Sequence, residues 1–205
     1  MYKFRKLCFC CALGIFFSAE NVFPHKTVAE NENKDCRGFV QNLGNDAIGI
    51  INTPGISRDE IIRKFGNMVE ANFAVNQMAK FSVGRYAKSL NKDEKRKFLG
   101  NFTKMLVKLY ASNFEEYKTA KFTVIGQRKK SENQFIVESR VAIPGKPDVL
   151  IMWHVLKNKD KLLITDAVTN EVSIRQILRA EISGNISEKG LKNFLTEFTK
   201  KYEKL

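Results

Sequence analysis

At Lys121 the apolar pattern of this chain changes period, and that change limits what the chain can fold into. Before it, apolar residues recur at intervals of three and four, which places them on one side of a helix. Phe39, Val40, Leu43, Ala47, Ile48 and Ile51 form one such stripe, and Ile61, Phe65, Met68 and Val69 a second. A third runs through Met78, Ala79, Ser82, Val83, Tyr86, Ala87 and Leu90. The longest holds Phe98, Phe102, Met105, Leu106, Leu109 and Tyr110. After Lys121 the period is two, as in strands. Phe122 and Val124 alternate with polar neighbours, and Phe135, Val137, Val141 and Ile143 alternate with Gln134, Glu138 and Arg140. Val149, Ile151, Trp153 and Val155 are backed by apolar Leu150, Met152 and Leu156, so that strand is expected to be central. Leu162, Ile164, Asp166 and Val168 are expected to share one face of a fourth strand. Helical spacing then returns in Ile174, Ile177, Leu178 and Ile182, and in Leu191, Phe194, Leu195, Phe198 and Tyr202. The order predicts an α+β domain: a four-stranded antiparallel meander sheet covered by about six helices.

Local signals set the boundaries. Ser57 with Glu60, and Asn91 with Glu94, have capping-box spacing. Ser173 and Ser187 are expected to cap the last two helices. Thr53-Pro54-Gly55 stops the first helix, and Gly66, Gly84 and Gly100 interrupt later ones. Arg128 to Asn133 reads as a charged hairpin connection. Pro144 to Pro147, Asn158-Lys159-Asp160 and Thr169-Asn170-Glu171 read as turns. Lys161 to Ile182 is thus a strand-to-helix joint between the sheet and a helical layer.

The first residues read as a secretory signal peptide, residues 1–19. Lys3, Arg5 and Lys6 form a basic start, Leu7 to Phe17 an apolar core too short to span a bilayer, and Ser18-Ala19 a small-residue zone. Cleavage after Ala19 is expected; Ala29 is an alternative site, and an uncleaved anchor the alternative reading. Residues 20–34 are expected to be a flexible arm and 35–205 the domain. Cys8, Cys10 and Cys11 lie in the leader, so the mature chain keeps Cys36 and forms no intrachain disulfide. The net charge is +13, from 35 Lys and Arg against 22 Asp and Glu. Export argues against nucleic acid as the partner of that charge; anionic membrane surfaces or acidic proteins fit better.

Catalytic material is sparse. Of the two histidines, His25 lies in the arm and His154 on a strand. No Cys/His cluster has metal-ligand spacing, and there is no G-x-S-x-G elbow or glycine-rich phosphate loop. Asp166 is the one acid on an apolar face. An ion pair with Arg175 or Arg179 would satisfy it, and general base is the sharper alternative. Cys36, a lone thiol between the arm and the first helix, reads as a weak nucleophile candidate. Apolar side chains, by contrast, are abundant, with 16 phenylalanines of which Phe4, Phe9, Phe16 and Phe17 fall in the leader. Helices laid over a sheet can enclose an apolar cavity rather than a solid core.

Several stretches resemble the MlaC-type periplasmic phospholipid-binding family, also called the toluene-tolerance or ABC-transporter auxiliary family. Asp166, Val172, Ser173, Arg179 and Gly190 match its C-terminal pattern in order and interval. Phe73, Met78, Ala79, Gly84, Tyr86, Phe98, Phe102, Leu106, Tyr110 and Ala111 match its helical half. Leu162, Asn170, Glu171 and Ile182 depart from it, where the family has tryptophan, an acid, glycine and phenylalanine. The resemblance implies a soluble, non-enzymatic carrier with no cofactor. Its ligand would be phospholipid, its place the periplasm, and its role outer-membrane lipid asymmetry. Its partners would be an inner-membrane ABC transporter complex and an outer-membrane lipoprotein–porin complex, with transient membrane-surface contact. Acyl chains would lie between sheet and helices. On the helices the candidate lining is Phe73, Met78, Phe81, Tyr86, Phe102, Met105, Leu106, Leu109, Tyr110, Ile177 and Leu178. On the sheet it is Phe122, Val124, Val137, Val141, Ile151, Trp153, Ile164 and Val168. Asp166, Ser173 and Arg179 are expected to be scaffold, and no metal is expected. An exported enzyme acting on an acyl substrate through Asp166 and His154, or a basic envelope interaction protein, remain the alternative readings.

Overall fold

The computed structural model describes residues 30–111, 114–159 and 161–203, with side chains from Cys36 onward except those of Tyr110 and Ala111. The expected signal peptide lies outside the described residues. The helical half comprises α1 (Glu30–Ile51), α2 (Arg58–Asn72), α3 (Val75–Val83), a 3-10 turn (Gly84–Lys88), α4 (Lys92–Ala111) and α5 (Phe114–Tyr117). The strands are β1 (Lys121–Ser131), β2 (Gln134–Ala142), β3 (Val149–Asn158), β4 (Lys161–Thr169) and β5 (Val172–Ser173). Then come α6 (Ile174–Lys189) and α7 (Leu191–Tyr202). All pairings are antiparallel, in the order β1-β2-β3-β4-β5. The α+β expectation holds, and α1 begins at Glu30, inside the stretch expected as an arm.

Three expectations are corrected. The described sheet has five strands rather than four. Asn170 and Glu171 both take positive φ, 48° and 63°, the geometry of a tight two-residue hairpin turn. The chain therefore folds straight back, and Val172 and Ser173 pair with Thr169 and Val168 before α6 starts. Ser187 caps nothing: α6 runs through it to Lys189. Gly190, at φ 79°, stops α6 by donating its N–H to the Ile186 carbonyl at 2.9 Å, and its own carbonyl opens α7. The stripe from Met78 to Leu90 is not one helix, because Gly84 at φ 61° breaks it into α3 and the 3-10 turn.

The other capping signals are realised. Ser57 Oγ accepts from Glu60 N at 3.2 Å, and Ser173 Oγ from Gln176 N at 3.1 Å. Asn91 and Glu94 bond reciprocally, side chain to backbone, at 2.9 Å each way.

One apolar face of the sheet is roofed by α1. Phe135, Val137, Val155 and Ile164 are buried there against Cys36, Val40 and Leu43 of α1, with Phe122, Val124, Trp153 and Leu162 packed around them. Beyond β4 the remaining helices form a bundle, with α3 on α6 and α4 between α2 and α7. The α2–α3 junction is tied to the sheet edge by Ala74 N donating to the Ile164 carbonyl at 2.8 Å.

Candidate functional site

Two contacts seat α1 on the sheet. The Gln41 side chain donates to the Phe122 carbonyl at 3.2 Å and accepts from Val124 N at 2.9 Å. It thereby pairs with the open edge of β1 as a neighbouring strand would, satisfying backbone groups that burial would otherwise leave unpaired. One helical turn on, Gly44 lies directly over the Phe122 ring, in space that a Cβ would have to share with ring carbons. Only glycine lets the helix come this close. Neither residue was read from sequence. A glycine inside a helical stripe is a visible signal for close approach, whereas a glutamine beside such a stripe looks like an ordinary solvated position.

The roofed face unites one part of the candidate set. Phe73, Phe122, Val124, Val137, Trp153 and Ile164 belong to one continuous apolar cluster. Val141 pairs with Phe122, and Ile151 with Thr169 on β4 and Ser139 on β2, in the same alternation, so both extend that face. A polar anchor stands within it: Trp153 Nε1 donates to the fully buried Ser139 Oγ at 2.8 Å. The Phe122 and Trp153 rings meet edge-on, with centroids 6.2 Å apart. Cys36 is 1% exposed in this cluster, so its thiol is core rather than a surface nucleophile.

The other candidates lie elsewhere. Phe102, Met105 and Leu106 are buried in α4, where Phe102 packs on Phe98 with centroids 5.8 Å apart. Met78 and Leu178 are buried in α3 and α6. Leu109, Tyr86 and Ile177 are half-buried on their helices, and the Tyr110 side chain lies outside the described residues. Val168 is not on the roofed face. The pairing of β3 with β4 shifts between His154 and Val155, so Thr165 is an extra residue, a bulge. Ile164 stands opposite Val155 and Ala167 opposite Trp153, both on the roofed face; Asp166 stands opposite His154, and Val168 opposite Met152. The expectation that Leu162, Ile164, Asp166 and Val168 share a face fails because one inserted residue inverts the alternation after Ile164.

Asp166 is 3% exposed. The expected ion pair with Arg175 or Arg179 is replaced by the start of α6. The carboxylate accepts from Ser173 Oγ at 2.6 Å and from the backbone N–H groups of Arg175 at 3.0 Å and Ala167 at 2.9 Å. The first N–H groups of a helix have no partner inside it and favour a negative charge. The guanidinium groups instead take the Phe81 ring, with Arg175 Cζ 4.4 Å and Arg179 Cζ 4.6 Å from its centroid. Arg179 Nη1 also donates to the Phe81 carbonyl at 3.2 Å, and its guanidinium packs over Gly84. Asp166, Ser173 and Arg179 therefore tie the sheet, α6 and α3 together. His154, half-buried opposite Asp166, has its pKa pushed down by burial and then by Lys130.

Two surface concavities stand apart from the candidate residues. One of about 610 Å³ is lined by Glu188, Lys189, Asn193, Thr196 and Glu197; the other, about 360 Å³, lies between the end of α1 and α5. Among the described residues no group of three His, Cys, Asp or Glu could hold a metal ion.

The geometry is thus a helix-roofed apolar sheet face beside a helical bundle, locked at the β4–α6 joint. A family model described as "MlaC protein" matches residues 41–200. The chain belongs to the MlaC family. No curated protein matches it. Among solved structures it is similar to a phospholipid-binding protein from Ralstonia solanacearum, determined in complex with a phospholipid. The TM-score is 0.71 at 15% identity, over 82% of this chain and 98% of that one. For this MlaC-family chain that likeness establishes the fold.

Proposed function

We propose that this chain is a soluble phospholipid carrier of the periplasm. It would hold acyl chains against the roofed face of its sheet and pass lipid between an outer-membrane lipoprotein–porin complex and an inner-membrane ABC transporter complex. The observation that carries the reading is the continuous apolar face under α1. Family membership, and a neighbour of the same fold solved with phospholipid, add support. We assign Phe73, Phe122, Val124, Val137, Val141, Ile151, Trp153 and Ile164 to the lipid-facing wall, and Phe102, Met105 and Leu106 to the supporting core.

The physics suits a shuttle. A two-chain lipid with about 28 methylenes carries on the order of 20 kcal/mol of apolar transfer energy, so it cannot cross water uncovered. Exchange between a bilayer and an apolar wall is nearly neutral, because the two are similar solvents for the chains. No covalent step is required, and the acid proposed as a general base is engaged by three donors. The chain carries the role without catalysis or cofactor.

Mass spectrometry of an organic extract of the purified protein tests this reading. The expected result is about one phospholipid per protein. A chain that yields none, even after incubation with phospholipid vesicles, is not a carrier.

A further inference from the structure

The charged segment expected as a hairpin connection instead forms the end of β1, with the turn at Glu132 and Asn133, and it has a structural counterpart. Asn158 pairs with Lys161 across a second tight turn, with Lys159 at φ 52°. Gln134 pairs with Leu156, and Lys157 N donates to the Asn133 carbonyl at 2.8 Å, so the two hairpins end side by side at one end of the sheet. This juxtaposition gathers Arg128, Lys129, Lys130, Lys157, Lys159 and Lys161; the same two sequence segments hold only Glu132 and Asp160 as acids. Arg128, Lys130, Lys159 and Lys161 are exposed, and none of the four forms a salt bridge with a described residue. Their field reaches inward, since Lys130 and Arg128 both disfavour the charged form of His154.

We propose that the two hairpin tips form a docking surface for the anionic phospholipid headgroups of a bilayer. Lysine and arginine side chains near an anionic membrane surface each contribute about 1 kcal/mol of attraction, which adds across a cluster and is screened by salt. The exposed large apolar side chains among the described residues are Ile125, Leu150 and Val172, none of them at the tips. The tips therefore adsorb without inserting, which gives contact that is oriented and reversible. That is what a carrier needs at a membrane, and in this sense the assignment rests on the carrier reading. The surface also lies apart from the roofed face, so it can be altered without touching the lipid wall.

Two variants of equal charge change decide it. The first carries Arg128→Gln, Lys130→Gln, Lys159→Asn and Lys161→Gln, with asparagine at 159 because it tolerates positive φ. The control carries Lys88→Gln, Lys92→Gln, Lys95→Gln and Lys97→Gln, at exposed positions in and before α4. Co-sedimentation with phosphatidylglycerol/phosphatidylethanolamine vesicles at low salt should weaken at least about tenfold for the tip variant and less than about twofold for the control. Parent binding should fall as salt is added, and neutral phosphatidylcholine vesicles should bind little. Equal losses in both variants would reduce the effect to net charge and overturn the proposal, as would a tip variant that binds like the parent. Extractable phospholipid, measured on the same preparations, separates this test from that of the carrier reading. The tip variant should keep the parent's lipid. Tip-dependent vesicle binding by a parent that carries no lipid would sink the carrier reading and leave the surface standing.

Discussion

The two apolar regions of the molecule are built differently. The α4–α7 interface is a ladder of rings. Phe98 lies 5.2 Å from Phe198, which stacks on Phe194 at 5.2 Å and meets Tyr202 at 4.9 Å, and Phe102 joins at 5.8 Å from Phe98. Phe98, Phe102, Phe194, Phe198 and Tyr202 are all buried, so this wall is closed on itself. The sheet face under α1 has a narrow buried centre, fringed by partly exposed Phe39, Met68, Phe73, Phe122, Trp153 and Leu162. Its roof is one helix, held by a glutamine on a strand edge and by the glycine contact. Dense interiors resist a change of even a methylene, whereas a fringe of half-buried side chains has room to repack. The difference matches the proposed division of roles: the ring ladder would carry stability, and in the carrier reading the roofed face would take the ligand.

The largest expected effect is in the ladder. Phe102→Ala should cost about 3–5 kcal/mol, the usual range for deleting a buried ring, read as a fall in the denaturation midpoint. Lipid per folded molecule should not change; a folded Phe102→Ala protein that loses its lipid would move Phe102 into the ligand wall and break the comparison. Next comes the joint. Asp166→Ala strands three donors, two of them at the start of α6, and should cost about 2–3 kcal/mol. Ser173→Ala removes only one of those bonds along with the cap, and should cost about 1 kcal/mol.

On the roofed face, Gly44→Ala forces α1 off Phe122. It should cost about 1–3 kcal/mol, and here lipid retention should fall with stability. Unchanged lipid in this variant would contradict the role of α1 as roof. The smallest effect is the titration of His154. Its folded-state pKa lies below the usual 6.5, so the unfolded chain takes up the proton first. Stability should therefore decline as pH falls through about 6.5 and on toward the folded value, and His154→Gln should flatten that part of a stability–pH curve.

Much of this was legible in the sequence, for physical reasons. The change of period at Lys121 reports side-chain direction, so helices and strands could be separated. The caps at Ser57, Asn91 and Ser173 act within a single turn and were visible for the same reason. What failed depends on distant partners or on one residue. The bulge at Thr165 has no local signature, yet it moves Asp166 and Val168 to the other face. Ser187 has the chemistry of a cap, but Gly190 three residues on decides where α6 ends. The division of the apolar candidates into ladder and roofed face was hidden too, because Phe102 and Phe122 carry the same hydrophobic signal and only tertiary packing separates them.

Trp153 offers the most direct test, because it is the sole tryptophan of the chain and stands on the roofed face. Its fluorescence can be recorded in protein loaded with one equivalent of phospholipid brominated on its acyl chains, beside protein loaded with unlabelled lipid. Strong quenching by the acyl bromines is the predicted result. Unchanged emission with the brominated lipid demonstrably bound would place the acyl chains elsewhere and contradict the account.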